Sequence, residues 1–260
     1  METYESYEQE NIAYWTTRAP GYSAVNQSEL RSDQRNVWKQ TLLRHIEMAC
    51  GKDRTSSVRV LDVGTGPGFF AILLAERGYD VTAVDYTASM LQEAKQNAGI
   101  FASTIHFCQM NAEQLAFADD SFDVVVTRNL TWNLPHPDKA YSEWQRVLKK
   151  GGLLLNFDAN WYRYLHDEEA RRGYMQDRER IRRSGVADET DGTDIPAMEA
   201  IAYKAPLSGR IRPQWDIALL QRLNMEVIVD EDIWKTVWTR EERINNGSTP
   251  MFLIKAVKRQ

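Results

Sequence analysis

The residues with the most chemistry in them lie where an apolar run meets a glycine turn, in Val60-Leu61-Asp62-Val63-Gly64-Thr65-Gly66-Pro67-Gly68-Phe69-Phe70. A buried strand here ends in a tight turn and enters a helix, the place where a doubly wound α/β fold takes a nucleotide-like ligand. Glycine lets a ligand approach the backbone because no Cβ stands in the way. The spacing Gly64-x-Gly66-x-Gly68 is not the G-x-G-x-x-G of a dinucleotide site. Asp62 places a carboxylate beside the loop, which suits an ammonium group better than a pyrophosphate. Pro67 also removes an amide that could hold phosphate.

A second acid stands in register behind the first. Tyr79-Asp80-Val81-Thr82-Ala83-Val84-Asp85 reads as a second strand, and Asp85 falls about twenty residues past the glycines, where a carboxylate can accept from both ribose hydroxyls. A plainer role for Asp85 is to cap the helix that starts near Thr87. A third segment is Cys108-Gln109-Met110-Asn111-Ala112-Glu113-Gln114-Leu115. A fourth strand, Phe122 to Thr127, runs into the loop Arg128-Asn129-Leu130-Thr131-Trp132-Asn133-Leu134-Pro135-His136-Pro137.

With these segments in this order, the chain resembles the class I S-adenosylmethionine-dependent methyltransferases, in particular the small-molecule branch. The resemblance covers residues 55–158 well and the two ends more loosely. It implies that Asp62, Gly64, Thr65, Gly66 and Gly68 meet the methionine part of the cofactor, and that Asp85 binds its ribose. Tyr86 and Met90 would flank the adenine. The family often carries D-A-E where this chain has Asn111-Ala112-Glu113; Asn111 would accept from the adenine amine, with Ala112 donating its amide to the ring. Arg128 and Asn129 follow the fourth strand beside the reactive methyl group. Near the N-terminus, Trp15, Arg18, Ala19 and Tyr22 match a W-x-x-R-A-x-x-Y segment that closes over the cofactor in similar enzymes, and Arg18 would pair with the methionine carboxylate. Here aromatics surround a turn signal at Pro20-Gly21.

The elements that must position these groups can be read from periodicity. Residues 29–49 carry Leu30, Val37, Trp38, Leu42 and Ile46 at helical spacing, a core face. Asp138 to Leu148 is an amphipathic helix, closed by Lys149-Lys150-Gly151-Gly152. Leu153 to Asp158 is a fifth strand. A charged helix spans Asp167 to Arg183, with Asp167/Arg171, Glu168/Arg172 and Glu179/Arg183 at ion-pair spacing. Pro213 opens a further helix. Met225 to Val229 and Thr249 to Val257 are the last two strands, read with no helix between them and an antiparallel final strand. The expected fold is a Rossmann-like, doubly wound seven-stranded mostly parallel sheet. Residues 1–51 form an N-terminal helical lid, 52–158 and 213–260 the core, and 159–212 a small cap insertion over the carboxyl edge of the sheet.

Methyl transfer asks mainly for positioning, which can supply up to roughly 7–11 kcal/mol in favourable systems. If a general base is used, His136, Asp158 and His166 are the candidates. Trp132, Asn133, Asn160, Trp161 and Tyr162 lie in loops at the binding edge and are the acceptor-pocket candidates; core packing is the plain reading of each aromatic. Two rival readings share the glycine turn: an NAD-linked oxidoreductase, and a non-catalytic S-adenosylmethionine-binding module. A DNA amino-methyltransferase is disfavoured because Asn129-Leu130-Thr131-Trp132 stands where an N-P-P-Y-like segment would.

Composition sets the outer limits. The chain has 260 residues, is 43% hydrophobic and carries a formal net charge of -5. That acidity argues against nucleic acid as a main partner. The two cysteines lie far apart without close histidines, so neither a disulfide nor a metal site is expected. No apolar run reaches membrane-spanning length, and the N-terminus does not read as a signal peptide. The expectation is a cytoplasmic monomer or homodimer acting on a small molecule.

Overall fold

The computed structural model describes residues 2–259, with side chains from Tyr7 onward. Five strands, β1 (Arg59–Val63), β2 (Asp80–Asp85), β3 (Ile105–Gln109), β4 (Phe122–Arg128) and β5 (Leu148–Asp158), run parallel. With β6 (Met225–Asp230) and β7 (Phe252–Lys258) they form one sheet in the order β3-β2-β1-β4-β5-β7-β6. The last strand is antiparallel to both its neighbours. This is the mixed seven-stranded sheet expected from the sequence. Strand order reverses between β1 and β4, and that switch point opens a crevice past their carboxyl ends.

The central strands are near-continuous apolar runs because both faces are covered. On one face, α2 (Gln34–Cys50) and α3 (Phe69–Ala75) bury Trp38, Leu42, Ile46, Phe69 and Phe70 against Val60, Val126 and Phe157. On the other, α5 (Pro137–Val147) and α8 (Gln214–Arg222) bring Tyr141, Trp144 and Leu220 onto Leu61, Val125 and Leu154. The helix α4 (Ala88–Ala98) follows β2. Two short helices, α9 (Trp234–Val237) and α10 (Arg240–Asn245), stand between β6 and β7, where the sequence reading placed none. They are only 4 and 6 residues long, too short to show a 3.6-residue period.

The N-terminal region differs most from its reading. One helix, α1, runs unbroken from Glu2 to Arg31 and carries Pro20-Gly21 in its interior, where a turn was expected. A buried stripe at helical spacing, with Tyr7, Ala19, Ser23, Asn26 and Glu29, holds it to the body. Much of that stripe is polar, so no apolar period announces it. Only α1 lies over the crevice; α2 belongs to the core. In the segment 159–212, α6 (Glu168–Ser184) is capped by Asp167, which accepts from the Ala170 amide. Asp167 also pairs with Arg163, and Glu179 pairs with Arg183 as its spacing foretold. The helix α7 (Ile195–Lys204) packs Met198, Ile201 and Ala202 against Tyr7 and Trp132.

Candidate functional site

The crevice holds a cavity of about 160 Å³ between the carboxyl ends of β1, β2 and β4 and the underside of α1. Its floor is the glycine turn. Gly64, Gly66 and Gly68 all have positive φ. A Cβ on Gly64 would lie 2.7 Å from the Leu130 methyls, so a larger residue must displace that side chain as well as hold a positive φ.

Asp62 organises the turn. It is 2% exposed, accepts from the Thr65 hydroxyl at 2.6 Å and from the Ala71 amide at 3.0 Å, and faces the cavity. Burial pushes its carboxyl up to about 7, against the pull of those two donors. Asp85, at the end of β2, accepts from the amides of Gly66 and Thr87, each at 2.9 Å. Burial raises its pKa too. The carboxylate lines the cavity, open to donors such as the hydroxyls of a ribose diol. Tyr86, Thr87 and Met90 continue this wall, and Met110, Asn111 and Ala112 form the opposite one. The Asn111 side-chain oxygen already accepts from the Glu113 amide at 2.8 Å.

At the other end Arg128 faces the cavity as half of a bidentate pair with Glu29 of α1, at 2.6 and 3.3 Å. Its guanidinium lies 4.6 Å from the Trp38 ring centroid and 5.0 Å from that of Phe69. Asn26 also donates to Glu29. The pair ties the roof helix to β4 and neutralises the one cation at the cavity wall among the described residues. Asn133 fastens the roof's other end: it accepts from Tyr7 and exchanges two hydrogen bonds with Asn11.

Of the cofactor residues expected from sequence, Trp15, Tyr22, Asp62, Gly64, Thr65, Gly66, Asp85, Tyr86, Met90, Asn111, Ala112, Arg128 and Asn129 line this one cavity. Gly68, Glu113 and Arg18 lie outside its lining. Gly68 packs on Ala94, and Glu113 accepts from the His136 amide. Arg18 reaches away from the cavity to the Thr193 hydroxyl, 3.1 Å off in the cap. Glu8, Asn11, Ile12 and Asn26 line the cavity without having been read from sequence. The only signal they left is their shared helical stripe with Trp15 and Tyr22.

Two of the three base candidates are placed elsewhere, and the third stands beside the lining. Asp158 is fully buried in a network: Arg212 donates to it at 2.7 Å, as do the amides of Trp132 and Ala159. It is a structural acceptor, with no face on the cavity. His166 stacks on Tyr203 in the cap, with ring centroids 4.7 Å apart. His136 lies next to the lining residue Pro135, at the residue that precedes α5. Among the acceptor-pocket candidates only Asn133 lines the cavity. Trp132 packs on Tyr162, Asn160 is locked to the Arg212 backbone by two hydrogen bonds, and the Trp161 indole donates to Asn129. The cap lines none of the cavity; α7 packs on the roof helix, and Trp161 reaches only the back of the lining residue Asn129.

Comparison with known proteins agrees with this geometry. Residues 61–156 match the family model described as "Methyltransferase domain". The ubiquinone/menaquinone biosynthesis C-methyltransferase UbiE of Bartonella bacilliformis is 40% identical over 124 residues, 46% of this chain and 46% of its own length. The demethylmenaquinone methyltransferase of Renibacterium salmoninarum is 34% identical over 137 residues, 53% of each chain. The chain thus spans about half the length of the curated relatives it matches. Among solved structures, the plantazolicin methyltransferase BpumL, in complex with a triazolic desmethylPZN analog and SAH, aligns over 100% of this chain and 99% of its own. Its TM-score is 0.62 at 13% identity, a likeness of fold. Residues 61–156, which carry most of the parallel strands and the floor of the cavity, are thus similar to a methyltransferase domain.

Proposed function

We propose that this protein binds S-adenosylmethionine in the α1-roofed cavity and transfers its methyl group to a small organic acceptor, leaving S-adenosylhomocysteine. The observation that carries this is the convergence of Asp62, the Gly64–Gly66 turn and Asp85 on one cavity at the strand-order switch point. When bound, the cofactor supplies a methyl group on a cationic sulfur, open to in-line displacement by an electron pair of the acceptor. The protein's residues hold and orient. Asp62 offers negative charge to an ammonium group beside the glycine turn. Asp85 faces the cavity as an acceptor for ribose hydroxyls. Glu29 cancels the charge of Arg128, so the wall does not repel a sulfonium. The roof excludes water, which strengthens each of these interactions.

The same features speak against NAD. Two carboxylates and Pro67 stand where a pyrophosphate would need free amides. A planar hydroxylated or quinonoid ring is the acceptor class that the names of the relatives support, with carbon as the methylated atom. Incubation with methyl-labelled S-adenosylmethionine and a reduced naphthoquinone lacking its ring methyl tests this. Label in the extracted quinone supports the reading. Cofactor binding without S-adenosylhomocysteine formation across a panel of hydroxylated aromatics would favour the non-catalytic module.

A further inference from the structure

Three carboxylates stand on the cavity wall: Glu8, Asp62 and Asp85. Two are already engaged, Asp62 by Thr65 and Ala71, Asp85 by Gly66 and Thr87. Among the described residues Glu8 makes no hydrogen bond or ion pair. A half-buried carboxylate that faces a cavity without a protein donor is free to accept one from a ligand.

Its position identifies the donor. Along α1 the wall residues fall in order from Glu8 to Asn26, and the two ends sit over different parts of the floor. Tyr22, 14 residues and about 21 Å of helix from Glu8, lies over Gly66, with Glu29 and Arg128 beyond it. Glu8 lies at the opposite end. Its neighbours on the helix, Tyr7 and Asn11, bond Asn133, which leads into the wall residues Leu134 and Pro135. Its charge reaches Glu113, two residues past Asn111, and adds to the burial that chiefly raises the Glu113 pKa. Glu8 therefore faces the wall of Met110, Asn111 and Ala112 rather than the glycine turn. Asn111 holds there the place of the acid that the resemblance assigns to the purine, a neutral acceptor with one lone pair taken by the Glu113 amide. That end of the cavity offers an apolar slot and one unpaired anionic acceptor.

We propose that Glu8 reads the purine: its carboxylate accepts the hydrogen bond of the adenine exocyclic amine, so base recognition comes from the roof helix. This rests on the cofactor reading above. It makes the roof part of the binding site, since Glu8 is in place only while Tyr7 and Asn11 hold α1 to Asn133. A 6-keto purine turns an oxygen toward Glu8 instead of an amine and meets repulsion.

The test is the ratio of dissociation constants for S-adenosylhomocysteine and S-inosylhomocysteine, measured by calorimetry on the full chain and on Glu8→Ala and Glu8→Gln. A ratio taken within each variant cancels any partial loss of folding. The unaltered chain should prefer the adenosyl ligand by roughly tenfold to a hundredfold, the worth of a hydrogen bond to a charged group. In Glu8→Ala the preference should fall at least about fivefold below the unaltered ratio. In Glu8→Gln the ratio should move further toward the inosyl ligand, because a carboxamide can donate to the keto oxygen. Unchanged ratios in both variants would overturn the assignment while leaving the cofactor reading intact. Failure of the unaltered chain to bind S-adenosylhomocysteine would overturn both.

Discussion

Replacing Arg212 by Met should be among the most damaging single changes in the molecule, and the damage should depend on pH. Arg212 has a side chain 1% exposed and lies between Asp158 and Asp216, both with side chains 0% exposed. Its guanidinium makes four contacts of 2.7–3.2 Å to the two carboxylates. Met keeps most of the aliphatic volume over Phe252, so lost packing is a minor part of the cost. Two buried anions without their cation are the major part, about 3–5 kcal/mol for removing one partner of such a group. At about 2–4 °C per kcal/mol for a chain near this size, the melting temperature should fall by roughly 6–20 °C at pH 8. Without Arg212 the Asp158 carboxyl, which burial already raises, rises further above its unfolded value of about 3.9. The folded variant then holds protons that the unfolded chain releases, so its stability falls as pH rises and the deficit shrinks at pH 5. Adding Asp216→Asn should recover part of the loss at pH 8. The assay is thermal unfolding by circular dichroism at both pH values. A deficit under about 1 kcal/mol at pH 8, or one equal at pH 5 and pH 8, would refute the reasoning.

The remaining predictions concern the cavity. Asp62, raised to about 7 in the free protein, should lose its proton when a cationic ligand binds, so affinity for S-adenosylmethionine rises with pH up to about 7. Calorimetry in buffers of different ionisation enthalpy should detect proton release, absent in Asp62→Asn. In the free protein the same raised carboxyl lowers stability between about pH 4 and pH 7, a slope that Asp62→Asn should flatten. Gly64→Ala forces a Cβ against Leu130 at positive φ and should cost about 2–4 kcal/mol. Gly66→Ala meets only ordinary contact, at 3.6 Å from Tyr22, and should cost about 1 kcal/mol; chemical denaturation distinguishes them. Arg128→Lys loses the bidentate pair with Glu29 and should raise amide exchange across residues 22–31 by about tenfold; unchanged exchange would show that Glu29 does not hold the roof.

The parts legible in the sequence were those with a local signature. Strand β1 and its turn were readable because β-branched residues, an acid and three glycines stand in fixed order. Asp85 was readable from its distance to that turn. The roof was not, because its inner stripe of Glu8, Asn11, Asn26 and Glu29 is polar and gives no apolar period, while Pro20-Gly21 imitates a turn. Asp158, at the end of a strand, read as a candidate general base. Its partner Arg212 lies 54 residues on, and no spacing rule connects a buried ion pair over that distance. The aromatics of 161 and 162 pointed to an acceptor pocket by their place in the chain, but they pack behind the β4 loop, on Asn129 and Trp132, instead of on the cavity.

The most direct test of the central claim is calorimetric titration of the purified chain with S-adenosylmethionine, S-adenosylhomocysteine and NAD. Binding of both sulfur ligands, each lost in Asp85→Ala, with no heat from NAD, is the predicted result. Binding of NAD alone, or of the sulfur ligands with undiminished affinity in Asp85→Ala, would contradict it.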